Sequence, residues 1–403
     1  KVIGFDYENK NIYAASNLNR DKTAIIEFDP EAGKTVRTIY AHPDVDVEYL
    51  YGSDERQVLT HIIYYKEKMM YEILDDEFGN LIAKIKKRFP GFEVNITSKS
   101  KDESRIIIRV SNDKNPGSYY YYNQATGEFV KLLDLYPWLN PEDMASVEPV
   151  SFQNRDNVTI PGYLTLPKGR RKSNLAVVVM PHGGPWIRDK WKFNNDVQFL
   201  ANRGYAVLQI NYQGSAGYGK KFLTAGYKQW GGKIFNDVTD GVNWLIDEGI
   251  ADSTRIAIYG FSFGGYLAMS GLTFTPDLYA CGVSYAGISN IISFIENIPS
   301  YWQIQNEMLY EMIGNPSTES DLLKQYSPYF HVGKIKAPVF IAQGANDSRI
   351  NTADGYEIKK ALLENDIEVV FMEKKNEGHG FRNEENRFDF YQQLDKFLEK
   401  HLN

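Results

Sequence analysis

Arg255-Ile256-Ala257-Ile258-Tyr259-Gly260-Phe261-Ser262-Phe263-Gly264-Gly265-Tyr266 is the stretch on which the reading of this chain turns. A short apolar, β-branched run ends in Gly-x-Ser-x-Gly-Gly and leads straight into Leu267-Ala268-Met269-Ser270-Gly271-Leu272, which reads as a buried helix. The serine is thereby placed on a strand-to-helix turn, the geometry of a nucleophile elbow. Gly260 and Gly264 suit such a turn because a Cβ at either would strike the neighbouring strand or helix, while Ser262 takes a strained backbone that lifts its hydroxyl clear of the sheet. Glycine-rich loops of other α/β proteins carry the same short motif. The strand before it and the helix after it are what favour a catalytic serine.

Outward from this turn, continuous apolar strands recur at Leu175-Ala176-Val177-Val178-Val179-Met180, Ala206-Val207-Leu208-Gln209-Ile210 and Val339-Phe340-Ile341-Ala342. Helix-like segments fall between them, around 192–202, 233–247, 264–274 and 353–364. Strands without polar alternation, separated by helices, predict a mostly parallel α/β sheet covered on both faces.

A serine hydroxyl needs a base, and the six histidines make the search short. His42 and His61 fall in the β-rich first third, His182 precedes the serine by a whole strand–helix unit, His331 precedes a lysine-containing connection, and His401 lies on the C-terminal tail. His379 is selected: it sits in the glycine-flanked Asn376-Glu377-Gly378-His379-Gly380-Phe381 loop after the strand Val369-Val370-Phe371-Met372, and follows the serine in the chain. The orienting acid is expected between them. Of Asp277, Asp321, Asp347, Asp354 and Asp366, Asp347 is preferred, because Gly344-Ala345-Asn346-Asp347 follows the strand Val339–Ala342 and reaches the edge of the sheet that holds Ser262. Asp354 and Asp366 read as solvated helix or turn charges. Pro181-His182-Gly183-Gly184-Pro185 also follows an apolar strand, so one oxyanion donor is expected from the backbone N–H of Gly183 or Gly184 and the other from Phe263. His182 reads as structural.

The first third is aromatic-rich and repetitive. Segments 11–15, 24–28 and 35–40 form one set of strands, with a turn at Glu31-Ala32-Gly33. A second set runs through 57–64, 69–74 and 81–85 with a turn at Glu77-Phe78-Gly79, and a third through 105–110, 119–123 and 129–133 with a turn at Ala125-Thr126-Gly127. The turn glycines Gly33, Gly79 and Gly127 stand 46 and 48 positions apart, the repeat length of a four-stranded propeller blade. The pattern predicts about three blades in residues 1–140, the end of a larger ring, since three blades do not close one. An ordinary antiparallel sheet with similar hairpins is the alternative. Tyr136-Pro137-Trp138-Leu139-Asn140-Pro141 punctuates the chain and sets a boundary before a second domain, 141–403.

At 403 residues the chain exceeds one hydrophobic core. A net charge of -7 gives no basic footprint for nucleic acid or an anionic membrane, and no apolar run is long enough to span a bilayer. Neither His-x-x-x-His nor Cys-x-x-Cys spacing occurs, nor Gly-x-Gly-x-x-Gly after a strand, so no metal or organic cofactor is expected. The only cysteine, Cys281, lies in an apolar run and excludes an internal disulfide. Strand-like sequence begins directly at Lys1, so preceding sequence is expected to be missing, and a signal peptide is neither asserted nor excluded. Cytoplasm and periplasm both stay open, as does a homo-oligomer.

His182-Gly183-Gly184-Pro185, Asn211-Tyr212-Gln213-Gly214-Ser215-Ala216-Gly217-Tyr218-Gly219, Gly260–Tyr266, Gly344–Asp347 and Asn376–Phe381 together resemble the prolyl oligopeptidase family of serine peptidases, the acylaminoacyl-peptidase branch above all. The resemblance covers residues from about 150 to the C-terminus, with five motifs in order. It implies an α/β-hydrolase catalytic domain capped by an N-terminal β-propeller, and hydrolysis of short peptides through an acyl-enzyme. Ile298-Pro299-Ser300-Tyr301-Trp302 offers two aromatics, Tyr301 and Trp302, for an apolar substrate pocket, although core packing accounts for them equally well. Arg349, two residues past Asp347, is a candidate for a substrate carbonyl or for a surface ion pair. A carboxylesterase using the same triad and a catalytically silent binding fragment are the competing readings.

Overall fold

The computed structural model describes residues 1–299 and 304–403. Tyr301 and Trp302 lie outside the described residues. The chain divides into two compact units. One comprises Lys1–Val147 with Lys190–Gln198 and Gly217–Lys221; the other comprises Glu148–Asp189, Phe199–Ala216 and Phe222–Asn403.

The second unit is built on an eight-stranded mixed sheet. Six neighbours run parallel in the order Ala206–Ile210, Leu175–Val179, Ala251–Phe261, Cys281–Tyr285, Val339–Gly344 and Val369–Lys374. Thr159–Thr165 adds antiparallel to Ala206–Ile210, and Val147–Gln153 closes that edge. Every residue of Leu175–Val179 and of Ala206–Ile210 is buried, which is why these strands show no polar alternation. Both faces are covered. Val339 and Ile341 join the core that includes Ile358 and Leu362 of the helix Thr352–Glu364. Phe340, pointing the other way, meets Phe390 and Phe397 of the C-terminal helix Glu384–Leu402, ring centroids 5.8 Å apart in each case. Cys281 is buried within its strand, and burial pushes its thiol up to about 12.

The first unit contains three antiparallel sheets in chain order. Val2–Phe5, Ile12–Ser16, Ala24–Asp29 and Lys34–Tyr40 form the first; Val47–Ser53, Val58–Tyr65 and Met69–Ile73 the second; Glu93–Lys99, Arg105–Ser111, Ser118–Asn123 and Glu128–Asp134 the third. Each strand pairs with its successor, as short hairpins dictate.

One element differs from the expectation. Leu81–Ile85, read as a strand after a turn at Gly79, lies inside the helix Asp76–Arg88. The Asp75 side chain caps it by accepting the N–H of Phe78, Asp76 and Glu77 occupy the positive end, and Lys86, Lys87 and Arg88 the negative end. Phe78, Ile82 and Ile85 recur at helical spacing and enter one core with Val94, Ile106, Ile108 and Tyr122. A helix stands where the third strand of that set was expected, and the second sheet takes its third strand from Val47–Ser53, before the set.

Candidate active site

Ser262 stands between the strand Ala251–Phe261 and the helix Phe263–Phe274 with φ 58° and ψ −120°. Such a left-handed backbone costs a non-glycine residue about 1–3 kcal/mol and persists only where neighbours dictate it. Here the Ser262 N–H donates to the Tyr285 carbonyl at 2.8 Å, and the Ser262 carbonyl accepts the Tyr266 N–H at 3.1 Å. The two glycines permit the turn because an ideal Cβ on Gly260 would lie 2.1 Å from the Gly264 carbonyl carbon, and one on Gly264 would lie 2.2 Å from the Pro181 oxygen.

The structure brings the three distant candidates together. His379 Nε2 is 3.0 Å from Ser262 Oγ, and His379 Nδ1 is 2.7 Å from Asp347 Oδ2. A carboxylate only accepts, so with Asp347 ionised Nδ1 carries the proton and Nε2 of the neutral ring accepts from the serine hydroxyl. Burial pushes the Asp347 carboxyl up, but the hydrogen bond and charge of His379 and the amides of Arg349 and Ile350, at 2.8 and 3.0 Å, outweigh it and hold it below its usual range. Its side chain is only 2% exposed.

Both loops are fixed from behind. Gly344 lets them approach, since a Cβ there would lie 2.2 Å from the Gly378 carbonyl oxygen. Buried Glu377 accepts the N–H groups of Arg382 and Asn383 and the Asn386 amide, at 2.9, 2.8 and 2.7 Å, and the Phe381 N–H donates to the Tyr285 hydroxyl. The Phe261 ring lies against the imidazole, centroids 4.9 Å apart.

Gly183 lies beside the nucleophile, since an ideal Cβ built there would be 3.6 Å from Ser262 Cβ. The N–H groups of Gly183, Gly184 and Phe263 donate to no protein group among the described residues. Phe263 opens its helix, where N–H groups have no intrahelical acceptor. His182 is buried and faces away from this chemistry, toward Tyr212 and Ser215. Burial, opposed by the Gly183 carbonyl, pushes its imidazole down to about 4 and keeps it neutral.

The remaining candidates fall elsewhere. Arg349 is exposed, its N–H donating to Asp347. Asp277 pairs with Lys336 at 2.7 Å. Asp354, expected to be a solvated charge, is instead buried and accepts from Ser293 Oγ at 2.7 Å, because its helix turns that first-turn residue toward the core. Tyr212, Ser215 and Glu377, inside the motifs, and Tyr285, outside them, make supporting hydrogen bonds that the motifs do not reveal. Tyr212 and Tyr285 end or directly follow parallel strands at the edge that holds Ser262, and that placement was the available signal.

Comparison with known proteins follows the same outline. The family model "Prolyl oligopeptidase family" matches residues 191–403. Dipeptidyl aminopeptidase BIII of Pseudoxanthomonas mexicana is 33% identical over 405 residues, covering 98% of this chain and 58% of that protein. Acylamino-acid-releasing enzyme of Arabidopsis thaliana is 28% identical over 207 residues, 50% of this chain and 27% of that enzyme. A Mycobacterium tuberculosis puromycin-hydrolyzing peptidase superposes with a TM-score of 0.85 at 20% identity, over 100% of this chain and 63% of that one, and so shares the fold. The chain thus spans somewhat over half the length of the first of these relatives. An α/β sheet with its serine on a strand-to-helix turn, a matching family model and a relative aligned over nearly the whole chain lead to one conclusion: the chain belongs to the prolyl oligopeptidase family.

Proposed function

We propose that the chain is the catalytic part of a serine peptidase that hydrolyses short peptides through an acyl-enzyme. The observation that carries this reading is the unbroken line from Asp347 through His379 to Ser262, at 2.7 and 3.0 Å, ending on a strained elbow. In the proposed sequence His379 takes the Ser262 proton as Oγ attacks the substrate carbonyl, and Asp347 stabilises the imidazolium that forms. The N–H of Phe263 and that of Gly183 or Gly184 receive the oxyanion. His379 then gives its proton to the leaving amine, and water, deprotonated by the same imidazole, releases the acyl group.

The three chain-sequential antiparallel sheets support reading residues 1–140 as a partial propeller of about three blades and residues 141–403 as the α/β-hydrolase domain. Arg349, exposed beside Asp347, is retained as a contact for a substrate carbonyl. The relatives' names, dipeptidyl aminopeptidase and acylamino-acid-releasing enzyme, favour substrates cut near a free or blocked amino terminus. A panel of free and N-acetylated dipeptide anilides, run on the unaltered chain and on Ser262→Ala, tests the reading. Turnover of at least one anilide that vanishes in the variant is expected. Turnover of p-nitrophenyl esters alone would make the chain an esterase, and turnover unchanged in Ser262→Ala would end the proposal.

A further inference from the structure

Tyr212 and Ser215 hydrogen-bond to His182, the residue that opens the glycine loop. The turn holding them is closed by the Ser215 N–H donating to the Tyr212 carbonyl at 2.9 Å. It is anchored through Gln213, whose N–H donates to Asp237 Oδ2 at 2.8 Å, while Asn154 Nδ2 holds Oδ1 at 2.7 Å. All of these side chains are buried.

The proton positions follow by elimination. The Tyr212 hydroxyl has one proton and lies 2.8 Å from the His182 carbonyl, which can only accept, so the hydroxyl donates there. His182 Nδ1 lies 2.7 Å from the Gly183 carbonyl and 3.0 Å from the Tyr212 oxygen, both now acceptors, so Nδ1 carries the ring proton. Nε2 of the neutral ring then accepts from Ser215 Oγ at 2.9 Å. Stacking of the His182 and Tyr212 rings, centroids 4.3 Å apart, completes the clamp.

The consequence reaches the peptide plane. The His182–Gly183 bond is trans, so the Gly183 N–H points opposite to the His182 carbonyl. Fixing that carbonyl on Tyr212 turns the Gly183 N–H away from the clamp, in a residue whose Cβ position lies 3.6 Å from Ser262 Cβ. Fixing the Gly183 carbonyl on Nδ1 does the same for the Gly184 N–H. We propose that Tyr212 and Ser215 are positioning residues that act through His182 to aim the glycine-loop amides at the oxyanion of the acyl-transfer step. The proposal rests on the hydrolase reading above.

The test uses p-nitrophenyl acetate, small enough not to depend on peptide specificity, with phenylboronic acid, whose tetrahedral adduct on a serine mimics the oxyanion. The unaltered chain, Ser262→Ala, Tyr212→Phe and Ser215→Ala are compared. Tyr212→Phe keeps the stacked ring and removes only the donor; it is expected to lower kcat about 10- to 100-fold, the cost of a misaligned oxyanion donor. KM should stay within about twofold, phenylboronic acid should weaken by the same factor as kcat/KM, and the circular dichroism spectrum should not change. Ser215→Ala should shift the same quantities in the same direction, so it carries the test if Tyr212→Phe does not fold. Folded variants that keep kcat within about twofold, or that lose only KM, overturn the positioning role. Unfolding of both variants likewise assigns the two residues to stability alone. Turnover equal in the unaltered chain and Ser262→Ala overturns the hydrolase reading and this proposal with it, whereas Ser262-dependent turnover that survives both substitutions overturns only this one.

Discussion

Ser262 is held at a φ of 58° because two backbone hydrogen bonds and two adjacent glycine contacts leave it no relaxed alternative, and that geometry presents its hydroxyl to His379. Replacing Ser262 by Ala is expected to lower anilide turnover by at least about 10⁴-fold with little change in the thermal unfolding temperature. Asp347→Asn, which permits the wrong imidazole tautomer without removing bulk, should lower kcat about 10⁴-fold while the fold persists. Kinetics on the folded variants check both, and near-normal kcat in either would exclude the triad. The three residues that the structure brings together were legible because each carries a local signal: glycines around Ser262, glycines around His379, and a strand end before Asp347. The hydrogen bonds of Tyr212 and Ser215 to His182 were not, since a bond to a ring thirty or more residues away leaves no mark on local spacing.

At the level of elements, the parallel strands were readable because burial on both faces removes polar alternation, as the fully buried Leu175–Val179 shows. The helix Asp76–Arg88 was misread. Its Gly79 fell at a blade-like interval, and Leu81–Ile85 is apolar enough for either period, whereas the deciding cues were the Asp75 cap and the basic last turn. Asp75→Ala removes both that cap and a pair with Arg56, at 2.7 and 3.0 Å, and should destabilise the first unit by about 1–2 kcal/mol in urea denaturation. Phe340→Ala, at a position where strand and C-terminal helix interlock, should cost about 3–5 kcal/mol. A pH effect belongs to Asp237. Burial pushes its carboxyl up, against the Asn154 and Gln213 donors and with the Asp240 and Asp156 charges, to about 7. The folded chain therefore holds a proton there that the unfolded chain has already released above about pH 4, so this residue's contribution to stability falls as pH rises from about 4 to about 7 and then levels off. Denaturation of Asp237→Asn across that range should show a shallower decline than the unaltered chain; an identical slope would locate the titration elsewhere.

The whole chain is less cleanly divisible than its order suggests. Residues 190–198 and 217–221, which interrupt the stretch that otherwise makes up the second unit, belong to the first unit. There the Trp191 indole donates to the Val147 carbonyl at 2.9 Å, Gln198 donates to the Asp113 and Ala145 carbonyls at 2.9 and 2.8 Å, and the Gly219 N–H donates to Asp46 at 3.0 Å. A fragment starting at residue 148 loses every one of these partners. Its unfolding temperature is expected to lie below that of the whole chain, and a fragment that melts no lower would show the two excursions to be dispensable. Composition could not announce this interleaving, because the excursions are short and carry no punctuation of their own.

Cys281 lies sealed within a central strand, and it is the chain's only thiol. With burial holding that thiol in its protonated form, maleimide reagents find no thiolate on the native protein. One cysteine introduced at an exposed position on each unit would consequently accept a spin label, with no prior substitution of the native residue, and the distance between the two labels could be measured in solution.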